Sequence, residues 1–269
     1  DEAETSLSPQ KYGRETANST VHFYQNVTGE LGLKLFIKQL MAQPSVCFDT
    51  ETTDLNPLKA ELVGISFSWE AHKGFYIPFP ESFEDAKQLI ELFRPFFEST
   101  SIEKIGQNLK YEIKVLHKYK IDVKGVLFDT MIAHYLINAD MRHDMEVLAE
   151  TYLNYTPISI VELIGKKGKN QISIRDVSLE KLTEFAVEDA DITYQLASHF
   201  KKELIDAETL KLFNDIEIPL VKVLASMELE GIKLDTAFLK SLSIELSNDI
   251  RSLESKIYEA AGETFNIAS

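Results

Sequence analysis

The stretch SVCFDTET, residues Ser45–Thr52, is the part of the sequence on which the fold prediction depends. Its apolar first half, preceded by Pro44, predicts a buried β-strand. Side chains two residues apart in a strand lie on the same face, so Asp49 and Glu51 would direct two carboxylates to one point at the end of that strand. Carboxylate oxygens are the ligands that Mg²⁺ and Mn²⁺ prefer. Because two acids at this spacing are also common in solvated turns, a metal site requires further carboxylates elsewhere in the chain.

The composition limits the classes of protein to which the chain can belong. Its 269 residues, 44% of them hydrophobic, suffice for one large domain or two smaller ones. The single cysteine, Cys47, cannot form an internal disulfide and indicates a reducing compartment. Since there is neither a secretion signal nor a long apolar run, we expect a cytoplasmic protein that makes no membrane contact. The net charge of −15 argues against a broad basic surface for nucleic acid, but it allows a strand end to be held through bound cations.

The order of the elements predicts an α/β domain followed by a helical segment. Residues 1–20 lack periodicity and are interpreted as a flexible leader. Short apolar runs at residues 21–27, 62–69, 74–78 and 103–105 predict four further strands, separated by amphipathic helices. This mixture ends near residue 206, and residues 207–269 are almost entirely helical. We expect the chain to be part of a larger protein.

One segment, Gly165–Gln171 (GKKGKNQ), interrupts all periodicity and carries two glycines and three lysines. It is either an ordinary solvated loop or a basic loop that lies near a phosphate backbone. The sequence leaves both interpretations open.

Further carboxylates lie in two predicted helices. Glu112 follows one turn after Asn108, which is the predicted N-cap of its helix. Asp189 lies in a long helix predicted for residues 178–205, with Phe185 one turn earlier on the same face. Together with the two acids of the strand, these carboxylates could hold two divalent cations about 4 Å apart, an arrangement that hydrolyses phosphodiesters.

Three other acids are assigned to different roles. Glu188 and Asp191 would point away from Asp189 on the long helix, so they are predicted to lie on its solvated surface. Asp129 directly precedes another helix and is predicted to cap it. None of the three is expected to bind the cations.

Several motifs of the chain match those of one family. Six of them, in order, resemble motifs of the 3′–5′ proofreading exonuclease domain of bacterial family A DNA polymerases: FDTET (48–52), GQNLKYE (106–112), FDT (128–130), RHDM (142–145), GKNQ (168–171) and EDADIT (188–193). The resemblance continues through IEIPLV (216–221) and EGIKLD (230–235), which are similar to the first helices of the polymerase part. It implies a ribonuclease-H-like (DnaQ-like) fold with a mixed five-stranded sheet. It also implies an exonuclease domain at residues 21–206 and a truncated start of the polymerase domain at residues 207–269.

The resemblance also implies roles for individual residues. Asp49 would bridge two divalent cations, Mg²⁺ or Mn²⁺, Glu51 and Asp189 would complete the shell of the first, and Glu112 would support the second. The partner would be the single-stranded or frayed 3′ end of DNA, bound by a monomer that continues into the rest of a bacterial polymerase. The positions that match contacts to this DNA end are Leu55, Gln107, Asn108, Tyr111 and Arg142. Simpler alternatives exist for three of these side chains, because the leucine and the tyrosine could belong to the core and the arginine to a surface ion pair.

The chain departs from the family pattern at two positions. Glu112 stands where the family has aspartate, and the extra methylene changes the geometry available to Mg²⁺. Phe185 stands where the family has a tyrosine whose hydroxyl helps to position the attacking water. The sequence therefore favours a slow exonuclease that acts in DNA replication and repair. The alternatives are an inactive structural module that supports the polymerase domain, an RNA-trimming 3′–5′ exonuclease, and a non-enzymatic DNA-binding module, which the acidic charge disfavours.

Overall fold

The central feature of the computed structural model, which describes residues 13–267, is a mixed sheet of six strands. The strands, in chain order, are β1 (Phe23–Asn26), β2 (Ser45–Thr52), β3 (Leu62–Glu70), β4 (Lys73–Pro78), β5 (Glu103–Gly106) and β6 (Leu127–Asp129). Their order in space is β1-β4-β3-β2-β5-β6. Strands β2, β3 and β4 form an antiparallel meander, while β1 pairs with β4, and β5 with β2 and β6, in parallel. The predicted fold class is confirmed, but the sheet has six strands instead of five.

The helices occupy both faces of this sheet. They are α1 (Glu30–Leu40), α2 (Phe83–Glu91), α3 (Arg94–Phe97), α4 (Leu109–Lys118), α5 (Thr130–Ile137), α6 (Met145–Leu148), α7 (Ile160–Ile164), α8 (Leu179–Asp206), α9 (Leu210–Leu212), α10 (Ile218–Glu230) and α11 (Thr236–Ala261). A 3₁₀ turn spans Ile174–Asp176, and π-helical turns at Ala149–Leu153 and Phe213–Glu217 extend α6 and join α9 to α10. Apolar side chains of α1 to α4 fill one face, and those of α5 and α8 fill the other. The alternation of side chains along the strands produces these two cores.

On the face of the sheet that carries α5 and α8, hereafter the second layer, α8 is the most deeply enclosed helix. It lies across β1 to β5. It approaches the sheet so closely that a Cβ atom on Gly74 would lie 2.5 Å from Val187 Cγ1. The prediction that Glu188 and Asp191 are solvated is wrong, because both are buried. Glu188 accepts hydrogen bonds from Tyr155 and from the backbone of residue 158, while Asp191 accepts them from the tyrosine at 24 and the backbone N–H of residue 72. Chain segments on either side of the helix thus satisfy both carboxylates.

The caps of the two helices next to the site differ from the prediction in one respect. Asp129 caps α5 as predicted, by accepting from the backbone N–H groups of Met131 and Ile132. Its carboxylate also accepts from the N–H groups of Asn108 and Leu109, so it caps α4 as well. Asn108 lies in the left-handed region at φ 63° and its side chain makes no capping hydrogen bond. One buried carboxylate therefore fixes the start of both helices.

The N-terminal part of the chain is attached to the second layer. Of the predicted leader, residues 1–12 lie outside the described residues, but Glu15 pairs with Tyr155 in an isolated β-bridge. The N–H of Glu15 donates to Asn154 O at 3.0 Å, and Arg14 forms an ion pair with Glu150 at 2.7 Å. This part of the leader is therefore tied to the residues that follow α6.

The helices after residue 206 begin as part of the same compact unit. Phe213 is buried, with its ring centroid 5.0 Å from that of Phe128 at the end of the sheet. Glu228, on α10, forms ion pairs with Lys110 and Lys114 on α4. The first unit accordingly runs to Leu229, past the predicted boundary at residue 206.

A second unit begins at residue 230 and is built on α11. Asp235 caps this helix, and its side chain accepts a hydrogen bond from Phe238 N at 2.9 Å. Across residues 13–267, no helix combines the length and the apolar character needed to cross a membrane.

Candidate metal centre

Three carboxylates converge where β2 meets α8. Asp49 and Glu51 point from β2 towards this helix, and Asp189 faces them from it. One oxygen from each carboxylate lies within 4.8 Å of an oxygen of the other two. The period of two in the strand places the first two acids on one face, as the sequence predicts. The structure therefore brings together three of the four predicted ligands.

The fourth predicted ligand, Glu112, belongs to the helical layer on the opposite face of the sheet. Its helix packs against the core formed with α1 and α2, whereas Asp189 lies on the other side. Glu112 Oε2 accepts a hydrogen bond of 2.5 Å from Thr50 Oγ1. Thr50 lies between the two strand acids in sequence and therefore faces α4. Glu112 is buried beside the group of three but is held by the threonine and is not a member of it.

The carboxyl groups of the centre are buried close to one another, so their pKa values are raised. Burial raises the pKa of Asp49 to about 7. Burial, together with the charge of Asp49, raises the pKa of Glu51 to about 8. The same two causes raise the pKa of Glu112 and of Asp189 well above their usual values. No cationic side chain is among the causes of these shifts, so the carboxylates repel one another without compensation.

Unsatisfied oxygen atoms mark the same place. Asp189 Oδ1 is buried and has no hydrogen-bond partner. The hydroxyl of Ser66, the cross-strand neighbour of Asp49, is also buried without a hydrogen-bond partner. Buried polar atoms are normally paired, so a carboxylate oxygen without a partner needs a ligand. A divalent cation would satisfy these oxygens and offset the repulsion, and hard oxygen donors are the appropriate type. The residues present therefore fit such an ion.

The side chain at position 185 lies in an apolar environment. Phe185 is 7% exposed and packs in a small cluster with Val63, Tyr76 and Leu182. It lies on α8 one turn before Asp189, as predicted. A phenylalanine here offers no hydroxyl to a water near the carboxylates.

The structure places two of the predicted DNA-contacting residues, Leu55 and Tyr111, around the end of β2, and a third, Arg142, in the segment before α6. Leu55 follows the strand and is 95% exposed. The hydroxyl of Tyr111 donates to Asp54 O at 2.7 Å and lies 2.5 Å from Thr52 Oγ1, so this ring is fixed against the strand end. Arg142 forms a surface ion pair with the neighbouring acid at position 144, with a distance of 2.8 Å.

The remaining two predicted contacts, Gln107 and Asn108, lie at the start of α4. The amide of Gln107 is engaged on both sides, because it donates to His143 O at 2.8 Å and accepts from Thr130 Oγ1. This arrangement belongs to a network that the sequence reasoning missed. Buried His134 lies with Nδ1 2.7 Å from Nδ1 of His143 and with Nε2 3.0 Å from the hydroxyl of a tyrosine at position 152. The RHDM motif, which carries Arg142, is therefore attached to the start of α4.

Comparison with known proteins identifies the family. Residues 24–205 match a family profile described as "3′-5′ exonuclease". The chain is 33% identical over 256 residues to the DNA polymerase I of Pseudomonas aeruginosa and 34% identical over 249 residues to that of Borreliella burgdorferi. Each match covers 91% of this chain but only 28% and 27%, respectively, of the relative. The chain thus spans little more than a quarter of the length of these relatives.

Solved structures show the same fold at low sequence identity. The POL domain of Pol1 from M. smegmatis, in complex with DNA primer-template and dNTP, gives a TM-score of 0.73 at 20% identity and covers 91% of this chain and 39% of its own. Escherichia coli RNase D gives 0.61 at 18% identity, covering 76% of this chain and 51% of its own. Together with the family profile and the sequence relatives, this confirms the resemblance of the motifs. The chain belongs to the 3′–5′ exonuclease domain family of DNA polymerase I.

Proposed function

We propose that the chain is a metal-dependent 3′–5′ exodeoxyribonuclease that removes nucleotides from a single-stranded or frayed 3′ end of DNA. The observation that carries this proposal is the convergence of Asp49, Glu51 and Asp189, together with the absence of a hydrogen-bond partner for the buried Oδ1 of the last. Bound divalent cations, Mg²⁺ or Mn²⁺, supply Lewis acidity that lowers the pKa of a water and offsets charge on the scissile phosphate. The three carboxylates would hold one ion, and Glu112 would support a second.

The five residues that match DNA contacts in the family would position the DNA. Leu55 is exposed beyond the strand and offers an apolar surface to a base. Tyr111 is held against the strand end and presents an aromatic face, while Arg142 offers a cation to a phosphate once it leaves its ion pair. Asn108 would contact the terminal nucleotides through its side-chain amide. Gln107, whose amide is held by His143 O and Thr130 Oγ1, would contact them through its backbone. These assignments are proposals drawn from the matching motifs and from the position of each side chain.

In the parent protein the chain would be the proofreading part of a DNA polymerase I that acts in replication and repair. Residues 207–269 would form the beginning of its polymerase domain, and the remainder of the polymerase would be its covalent partner. We propose that it is a monomer located in the bacterial cytoplasm.

A second candidate function is an inactive structural module that supports the polymerase domain. Two observations favour it: Phe185 carries no hydroxyl, and the carboxylate of Glu112 is occupied by Thr50. A third candidate, an RNA-trimming nuclease, is tested by offering RNA of the same sequence.

The deciding experiment is nucleotide release from 5′-labelled single-stranded DNA with Mg²⁺ or Mn²⁺. We expect stepwise shortening from the 3′ end, and we expect Asp49→Ala to slow it by on the order of 10³-fold because a bridging ligand is lost. Glu180→Ala is the matched control, since it removes an exposed carboxylate from the first turn of α8, the helix that carries Asp189. Absence of shortening in every form, with no divalent ion bound in calorimetry, would establish the structural module.

A further inference from the structure

The segment Gly165–Gln171, hereafter the lysine loop, carries unpaired positive charge in an acidic chain. Its three lysines, at positions 166, 167 and 169, are all exposed. None of them forms an ion pair within residues 13–267, whereas several other lysines, including Lys73 and Lys201, do. Other lysines in the same described range, including Lys34 and Lys38, also form no ion pair. What distinguishes this loop is that three cations lie within four residues of a chain whose net charge is −15.

The lysine loop is a closed projection with a defined base. The N–H of Ile172 donates to Ile164 O at 3.0 Å, which joins the two ends of the loop. Within it, Gln171 N donates to Gly168 O at 3.2 Å. Gly165 begins the loop at φ 84°, a conformation that favours glycine. The lysines therefore lie at the tip of a short structure whose two ends are fixed.

The base of the loop is attached to the wall of the metal centre. Leu163 before the loop and Ile174 after it both pack against the apolar cluster that contains Tyr76 and Phe185. Phe185 precedes Asp189 by one turn of α8, and the charge of the nearby Glu51 contributes to raising the pKa of Tyr76. The loop thus projects from the same group of side chains that borders the carboxylates.

The charge balance of the centre explains what such a loop would do. Four carboxylates, those of the three converging acids and Glu112, would balance the charge of two divalent cations. The loaded centre would then have no surplus positive charge for the phosphates beyond the scissile one. Those phosphates would face an acidic protein, and only added cations could offset the repulsion.

We propose that the lysine loop binds the phosphate backbone of the single strand upstream of the terminal nucleotide that occupies the metal centre. The proposal rests on the proposed exonuclease function and extends it, because it predicts that the enzyme binds long strands better than short ones. Lysine recognises phosphate as a point charge and does not read bases, so the contact would be independent of sequence.

The test compares two triple variants with the same change in net charge. Lys166, Lys167 and Lys169 are replaced by alanine in one, and Lys34, Lys38 and Lys87 in the other. The control lysines are exposed on α1 and α2, in the layer on the other face of the sheet. Binding is measured by fluorescence anisotropy with a 5′-labelled oligothymidylate of about twelve nucleotides whose 3′-terminal linkages are phosphorothioates that resist hydrolysis.

The lysine loop variant should bind this strand about tenfold or more weakly, and its affinity should depend less steeply on salt, with the log-log slope reduced by about 2 for three lost phosphate contacts. The control variant should keep the slope of the parent protein. The affinity for a labelled dinucleotide should be the same in all three proteins, because a dinucleotide is too short to reach the loop.

Two results would overturn the proposal: equal weakening in both triple variants, or equal weakening for the dinucleotide and the long strand. Nucleotide release by the parent protein from an unmodified strand of the same length is measured in parallel. If it is absent, the proposed function fails, while the anisotropy data still decide whether the loop binds the strand.

Discussion

The buried carboxylates predict that this protein becomes less stable as the pH rises when no metal is bound. Glu51 is 7% exposed, and its pKa is raised from 4.5 to about 8 by burial and by Asp49. The folded protein therefore keeps a proton that the unfolded chain has already lost between those two values. Because the folded state binds more protons in this range, the contribution of Glu51 to stability is fully present below about pH 4.5 and is lost as the pH rises to about 8.

The size of the effect follows from the pKa difference. Each unit corresponds to about 1.4 kcal/mol, so complete ionisation of Glu51 costs on the order of 3 to 5 kcal/mol after allowance for its coupling to Asp49. The variant Glu51→Gln removes this cost because glutamine resembles the protonated acid in shape. At about pH 8 without metal, we expect the variant to be more stable than the parent by roughly this amount, which is roughly 10 °C in Tm. At about pH 4.5 the two proteins should be nearly equal.

Urea unfolding in EDTA, monitored by tryptophan fluorescence, measures this difference in the compact unit that contains Glu51. The chain has a single tryptophan, Trp69, which is partly buried and stacked on Phe75 in the first unit. Adding Mg²⁺ should stabilise the parent more strongly as the pH rises, because the ligands must be ionised, and it should have little effect on the variant. Parallel pH dependence in the two proteins would refute the reasoning, since it would mean that Glu51 is not protonated in the folded state.

Three further predictions concern activity and packing. Phe185→Tyr should raise the rate of nucleotide release by about tenfold or more in the labelled-DNA assay, and no gain would show that a hydroxyl at this position does not orient the water. Gly64→Ala would place a Cβ 2.0 Å from the Tyr76 hydroxyl, so the urea midpoint should fall by the equivalent of about 2 to 4 kcal/mol, whereas Gly13→Ala, with nothing within 4 Å, should be neutral. Phe213→Ala should cost about 3 to 5 kcal/mol in the same assay, and a loss no larger than that of the half-exposed Leu212→Ala would contradict the packing described.

The sequence predicted the central part of the fold because the signals there are local. The alternation in β2 fixes which side chains face α8, and the cap at Asp129 follows from short-range chemistry. The sixth strand, β6, was missed because its three residues are too few to show a period and all are buried. Its position depends on parallel pairing with β5, which is a long-range contact.

The features of the site that the sequence did not show also come from contacts between distant segments. Glu188 and Asp191 have the pattern of a solvated helix face, and only the folded chain brings Tyr155 and Tyr24 to them. The motif resemblance placed Glu112 among the metal ligands. The sequence contains no sign that Thr50, on the opposite face of the strand from Asp49, would hold its carboxylate.

The packing of α9 and α10 decides where the exonuclease region can be separated from the rest of a polymerase. A recombinant fragment ending at residue 206 would expose the ring of Phe128 by removing Phe213, and it would release Lys110 and Lys114 from Glu228. Such a fragment would present a new apolar patch at the edge of the sheet and would tend to aggregate. Expression boundaries for this region should therefore be chosen after residue 229, where the first compact unit ends.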